Sequence, residues 1–310
     1  MLRTKLAVSV LSFSLLMGSA AAMAKTVFIA SDVHPADYPT TAAVIHMGEK
    51  LSQQTDGRLS IRMFPSGQMG DESTTLEKTR AGAIDILRVS MAPVGGILPQ
   101  VSVFNMPFVF RDTDHQHKVL DGDIGNTLAK EISDSNLGLV FLGWMDAGSR
   151  SLITKKPITS LDDLKGVKIR LQNNPIGLDT FKALGANPIV LPVGDVFASL
   201  QTGVIDAAEN NEPTFDTENY VVAGTKYFDL TEHFMIPEVL AFSKRKWSKL
   251  SADDQALIMK LAKEAQAEER VLWAEYVEKS KQRLQSQGVK FLPVDKKPFV
   301  DATAPVREKY

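Results

Sequence analysis

No cysteine occurs anywhere in the 310 residues. Disulfide frameworks and thiolate metal sites are therefore excluded, and in an oxidising compartment the packed core must carry stability alone, which a chain of this size can manage. Beyond the first two dozen residues no apolar run is long enough to span a bilayer. Low-complexity tracts and blocks of like charge are missing, and so are a nucleophile elbow, a phosphate-binding glycine loop and a dinucleotide fingerprint. Sustained a/d heptads are lacking too, which speaks against a coiled-coil partner.

The N-terminus carries an export pattern. Arg3 and Lys5 precede an apolar stretch from Leu6 to Met17, and Ala22-Met23-Ala24 supplies the small-x-small site read by signal peptidase. Cleavage after Ala24 is expected, and removing residues 1–24 from 310 leaves 286, enough for two lobes of ordinary size. Loss of Arg3 and Lys5 takes 35 basic residues to 33 against 37 acidic ones, a mature net charge near −4. That balance argues against nucleic acid or anionic membrane as partner, so an anionic guest needs a local basic site.

The pattern along the chain alternates short apolar strands with helices. Strands are read at Lys25–Ala30, Leu59–Phe64, Ile84–Val89, Leu137–Met145, Arg150–Thr154, Val167–Leu171, Pro188–Leu191 and Ile205–Glu209. Helices are read at Thr40–Thr55, Asp71–Arg80, Lys118–Ser133, Pro175–Leu184 and Asp195–Thr202. This is an α/β pattern, a largely parallel sheet with helices on its faces. Gly82-Ala83-Ile84-Asp85 and Gly203-Val204-Ile205-Asp206 repeat one helix–turn–strand device, which suggests two α/β lobes of similar construction. A long helix from a Ser251 cap to about Ser286 would run about 50 Å at 1.5 Å per residue and so brace both lobes.

In open α/β sheets ligands sit beyond the carboxyl ends of strands. That rule nominates Asp32 and His34, Arg88, Asp146 and Arg150, Arg170 with Gln172, Asn173 and Asn174, and Glu209 with Asn210 and Asn211. Arginine suits a carboxylate because its planar fork donates two parallel hydrogen bonds and stays charged. A lone arginine is also commonly a surface residue, but Arg88 closes an apolar strand and therefore needs a partner. Glu72, in the first turn of its helix, either serves the helix dipole or accepts from sugar hydroxyls. His115 and His117 lack the further ligands of a zinc site, so no metal is expected, and no cofactor. Asp32 and His34 have the spacing of an acid/base pair.

Phe64-Pro65-Ser66-Gly67-Gln68-Met69-Gly70-Asp71, Asn105-Met106-Pro107-Phe108-Val109-Phe110, the run Leu161 to Arg170 and the run Gln201 to Asn210 resemble the DctP-type receptors of TRAP transporters, the tripartite ATP-independent periplasmic systems. The resemblance covers nearly the whole mature chain. It implies a two-lobed fold like that of periplasmic binding proteins, a monomeric receptor in the periplasm, and delivery of a small organic acid to a membrane permease pair. It also implies that Arg170 pairs with the ligand carboxylate, helped by Asn210 and Arg150. The opening Asp32 to Pro39 and Glu72 resemble members that take hexuronates such as glucuronate or galacturonate, with His34, Glu72, Arg88 and Asn174 completing the site. Crossing connections are implied, with residues 25–147 plus about 236–275 in lobe one and about 148–235 plus 276–310 in lobe two. Similar proteins often continue past the position of Tyr310. A C4-dicarboxylate is the competing guest, with Arg88 as second cation and Glu72 as a source of repulsion. A lyase or isomerase using His34 or Glu72 as base, or a sensor-partner role, stays open on residues alone.

Overall fold

The computed structural model describes residues 25–310, so the expected export segment and the expected cleavage after Ala24 lie outside the described residues. Among the described residues eleven strands form two sheets. They are β1 Thr26–Ser31, β2 Leu59–Phe64, β3 Ile86–Ser90, β4 Leu139–Met145, β5 Arg150–Thr154, β6 Lys168–Leu171, β7 Asn187–Val190, β8 Ala207–Asn210, β9 Tyr227–Phe234, β10 Glu238–Ser243 and β11 Lys290–Pro293. The first sheet has the order β2-β1-β3-β10-β4 and the second β11-β9-β5-β8-β6-β7. Each is parallel except for one strand, β10 in the first and β5 in the second. The odd strand is in each case the one that enters its sheet directly from the other, β5 after β4 and β10 after β9. The α/β reading with a largely parallel sheet therefore holds for both sheets.

The repeated Gly-x-Ile-Asp device has a common physical basis. Gly82 and Gly203 close their helices in the left-handed region, at φ 83° and 77°. Asp85 then clasps the first sheet, accepting from the Ile29 amide at 2.8 Å while its own amide donates to the Ile29 carbonyl at 3.0 Å. Asp206 does the same to Lys168 of the second sheet, at 3.0 and 2.8 Å. Each clasp sits just ahead of a strand that carries a site residue.

The long helix spans Ala252–Ser286, with Ser251 Oγ accepting from the Asp254 amide at 3.1 Å. Its first half buries Ile258, Leu261, Ala262 and Ala265 against the first sheet, and Leu284 in its last turn joins the core of the second. It thus braces both halves. Along the way it covers the open edge of β4: Gln266 accepts from the Trp144 amide at 2.9 Å and Glu269 from the Asp146 amide at 3.0 Å. Glu269 is wholly buried; burial and the nearby Asp146 carboxylate hold its carboxyl well above the usual range.

Two local readings differ. The expected helix over Lys118–Ser133 is two helices, Thr113–Asp121 and Asp123–Asp134, that turn at Gly122. The turn is so tight that a side chain on Gly125 would overlap the Leu120 carbonyl. β9, β10 and β11 carry no periodic signal, since β10 is buried along its whole length and β9 buries Asp229 and His233. Among the described residues no helix is long and apolar enough to cross a membrane.

Candidate functional site

The two sheets face each other across a cleft of about 730 Å³, which narrows between Glu72, Arg170 and Gln172 into an inner chamber of about 20 Å³. One wall of the chamber belongs to the first sheet and its helices: His34 after β1, Glu72 at the start of the helix Glu72–Ala81, Arg88 on β3 and Glu238 on β10. The other belongs to the second sheet: Arg150 on β5, Arg170 on β6, Gln172 just after it, Asn210 on β8, then Asn211 and Thr214. Six of the seven residues expected to bind the ligand, His34, Glu72, Arg88, Arg150, Arg170 and Asn210, thus line one space. The seventh, Asn174, is absent from the lining of both the chamber and the cleft; its Oδ1 caps the helix Pro175–Ala183 by accepting from the Ile176 amide at 3.0 Å.

Three arginines reach this chamber, and all are buried to the same degree, at 2, 3 and 3 % exposure for Arg88, Arg150 and Arg170. Their partners separate them. Arg88 donates to Asp32 through Nε at 3.0 Å and again through Nη2, and through Nη1 to Glu238 at 2.6 Å and Glu72 at 3.0 Å. Burial works against its charge, but these three carboxylates hold the guanidinium protonated well above its ordinary range. Arg150 meets Glu209 in a two-pronged pair at 2.6 and 2.8 Å, reaches the Glu209 carbonyl at 3.0 Å, and donates to Asn210 Oδ1 at 3.0 Å. Burial would raise the Glu209 carboxyl, yet Arg150 and His233 hold it down at about 2.

Arg170 has no such partner. Its Nε donates to the Leu191 carbonyl at 2.8 Å, and its terminal nitrogens meet no carboxylate among the described residues. Burial accordingly pulls the guanidinium below its ordinary value, opposed by the nearby Tyr220 hydroxyl and Glu209 carboxylate without a hydrogen bond to either. Arg170 is thus a buried cation that lines the cleft with no protein carboxylate against its terminal nitrogens.

The remaining groups of the chamber are arranged to exchange hydrogen bonds. Asn210 accepts through Oδ1 from Arg150 and from the Asn211 amide at 2.9 Å, which leaves its Nδ2 as a donor. His34 stacks on Tyr38, ring centres 3.9 Å apart, and burial with the nearby Arg88 charge pushes its imidazole down to about 3. It is therefore neutral, with Nδ1 unpartnered. Glu72 Oε1 accepts from Arg88 and from the Ser90 amide at 3.0 Å, while Oε2 accepts from Gln172 at 3.2 Å. That last bond, and the contact of Tyr38 Oη with Thr214 Oγ1 at 3.1 Å, join the two walls directly.

The Asp32–His34 spacing does not make an acid/base pair. Asp32 accepts from the His34 backbone amide at 3.0 Å and from Thr40 Oγ1 at 3.0 Å, and spends its remaining capacity on Arg88, not on the imidazole. His117 instead pairs with Asp146 at 2.8 Å. Among the described residues no group of three or more His, Asp and Glu could hold a metal ion.

Glu238 is the chief member beyond the sequence reading, whereas the sequence already nominates Gln172 by its place after β6. Glu238 opens an otherwise apolar strand, the same signal that singles out Arg88, and burial lifts its carboxyl to about 7 with Arg88 pulling the other way. The partnership of Arg150 with Glu209 had no sequence signal, because 59 residues separate them and only the sheet pairing brings them together.

Comparison with known proteins gives one consistent result. The model of bacterial extracellular solute-binding protein family 7, DctP, matches residues 30–310. A solute-binding protein of Chromohalobacter salexigens is 37 % identical over 268 residues, 86 % of this chain and 79 % of that protein. A TRAP periplasmic solute-binding protein from Citrobacter koseri with bound D-glucuronate is 51 % identical, with TM-score 0.90 over 92 % of this chain and 95 % of that one. One from Xanthobacter autotrophicus with bound β-D-galacturonate is 38 % identical, with TM-score 0.88 over 91 and 94 %. The same Citrobacter protein in its apo, open structure gives a lower TM-score of 0.82 over 91 and 94 %. The arrangement described above is therefore nearer to the liganded form than to the open one.

Proposed function

Because this chain belongs to family 7 of the bacterial extracellular solute-binding proteins, the DctP family, we propose that it is the periplasmic receptor of a TRAP transporter for a hexuronate such as glucuronate or galacturonate. The observation that carries this reading is the unpaired buried guanidinium of Arg170 at the neck of the cleft. Its terminal nitrogens take the guest carboxylate, with Asn210 Nδ2 and the remaining Arg150 N–H beside it. His34, Glu72 and Glu238 on the facing wall receive the hydroxyls, three groups with open acceptor or donor positions. Arg88 is fixed among its three carboxylates and stiffens that wall without offering a free charge. Relatives with bound uronates support the ligand class.

In this reading residues 25–147 with about 236–275 form one lobe and 148–235 with about 276–310 the other. A sugar acid is larger than the 20 Å³ chamber, so the walls part slightly to admit it and the neck of the 730 Å³ cleft supplies the rest of the space. The receptor releases its guest unchanged to the membrane permease subunits. Calorimetry on the mature protein with D-glucuronate, D-galacturonate and D-glucose tests the assignment. Saturable binding of the acids and none of the neutral sugar is expected; equal binding of glucose would remove the role of Arg170. Product formation seen by NMR after incubation with the acids would replace the receptor by an enzyme.

A further inference from the structure

The two walls of the chamber differ in sign. On the second wall the Arg150 charge is cancelled by Glu209, so Arg170 is the one cation left unbalanced there. On the first wall a single guanidinium, Arg88, faces Asp32, Glu72 and Glu238. Two of those carboxylates, Glu72 and Glu238, line the chamber itself. Glu72 is locked in place by the Ser90 amide at 3.0 Å and Gln172 at 3.2 Å, while Glu238 offers one oxygen to Arg88 and keeps the other for a guest.

We propose that the carboxylates gathered around Arg88 are a charge filter that admits guests with one acid group and rejects diacids. The inference rests on the reading that Arg170 holds the guest carboxylate, because that contact fixes which end of the guest meets the acidic wall. Hydroxyls arriving at this wall donate to carboxylate oxygens, a strong charge-assisted pairing. A second carboxylate arriving there has no proton to donate and meets a net negative wall out of reach of bulk water. Arg88 cannot answer it, since four of its five N–H groups are engaged by Asp32, Glu72 and Glu238. Like charges about 4–5 Å apart at a partly buried site repel strongly enough to weaken binding by about a hundredfold or more. Glu238 is the member that sequence reading did not reach, and it is assigned here as a specificity residue.

The test is calorimetry on the mature protein at pH 8 with D-glucuronate and with D-glucarate, its six-carbon diacid. Glucuronate binds, and glucarate binds at least about a hundredfold more weakly. In Glu238→Gln the gap narrows by about tenfold or more, with glucuronate affected less than glucarate. Should that variant fail to fold by circular dichroism, Glu72→Gln carries the same expectation. Glucarate within tenfold of glucuronate in the unaltered protein overturns the filter and leaves the receptor reading standing. An unchanged gap in the folded variant also overturns it, since exclusion is then by shape. Absence of glucuronate binding in the unaltered protein removes the receptor reading and the filter with it.

Discussion

Exchanging Arg170 and Arg150 separately for methionine distinguishes a cation kept for the guest from one kept for the fold. Both side chains are equally buried, at 3 % exposure. Arg150→Met leaves the buried Glu209 carboxylate with His233 as its remaining side-chain partner, and breaking a buried pair in this way costs about 3–5 kcal/mol. In a chain of this size that lowers the melting temperature on the order of 10 °C. Arg170→Met removes a charge whose burial is unrewarded in the empty protein and loses the 2.8 Å bond to the Leu191 carbonyl, about 1 kcal/mol. The empty variant should therefore melt within about 3 °C of the parent, or above it. Its affinity for glucuronate falls by 3–5 kcal/mol, roughly 10²- to 10⁴-fold, because the guest carboxylate is left unpaired in a desolvated chamber. Scanning calorimetry of the empty proteins and titration calorimetry with the acid give both numbers. The reasoning is refuted if Arg170→Met destabilises the empty protein as much as Arg150→Met does, or if it binds glucuronate normally.

Other perturbations follow from the same geometry. His34 is held neutral with its pKa near 3 against 6.5 when unfolded, so the unfolded chain takes up a proton first and the stability it contributes is lost as pH falls below 6.5. Compared with His34→Gln, the parent should lose about 2 kcal/mol in urea unfolding between pH 6.5 and 5, and a constant difference would contradict the neutral imidazole. Gln172→Ala removes a wall-to-wall hydrogen bond to Glu72 worth about 0.5–1.5 kcal/mol; small-angle scattering of the empty protein should show a larger radius of gyration, and an identical profile would show that the bond does not hold the walls together. Glu269→Gln keeps an acceptor for the Asp146 amide and removes a carboxyl whose charged form burial disfavours, so its stability at pH 7 should change by less than about 0.5 kcal/mol, whereas Glu269→Ala orphans the amide and costs about 1–3 kcal/mol. Equal losses in thermal unfolding of the two variants would mean that Glu269 is ionised.

Much of this arrangement was legible before any coordinate. Strand ends were found from alternation, and the rule that ligands lie beyond them led to Arg170, Arg150, Asn210 and His34 because those residues are local to their strands. The cap of the long helix at Ser251 and its reach over both halves follow from spacing alone. What could not be read was pairing across the chain. Arg88 looked available to a guest because Glu238, 150 residues later, carries no mark of its destination. Asn174 follows a site strand just as Arg170 closes one, yet its short side chain turns back to the helix it begins, the habit of asparagine at a helix start. β10 escaped notice because a strand buried on both faces loses the alternation that reveals a strand, and β9 because it buries the polar Asp229 and His233.

The clasps made by Asp85 and Asp206 bear on aim. Each carboxylate bonds the backbone of the neighbouring strand, Asp85 three residues before Arg88 and Asp206 four before Asn210, roughly 10 and 13 Å upstream at the rise of an extended chain. Sliding a strand by one position turns every side chain to the opposite face. These aspartates therefore act as locating pins: they fix the register from which the guest-facing side chains are pointed, though neither lines the chamber. Loosening a pin would blur the direction of an intact arginine or asparagine, so recognition here is secured partly at the far ends of the strands.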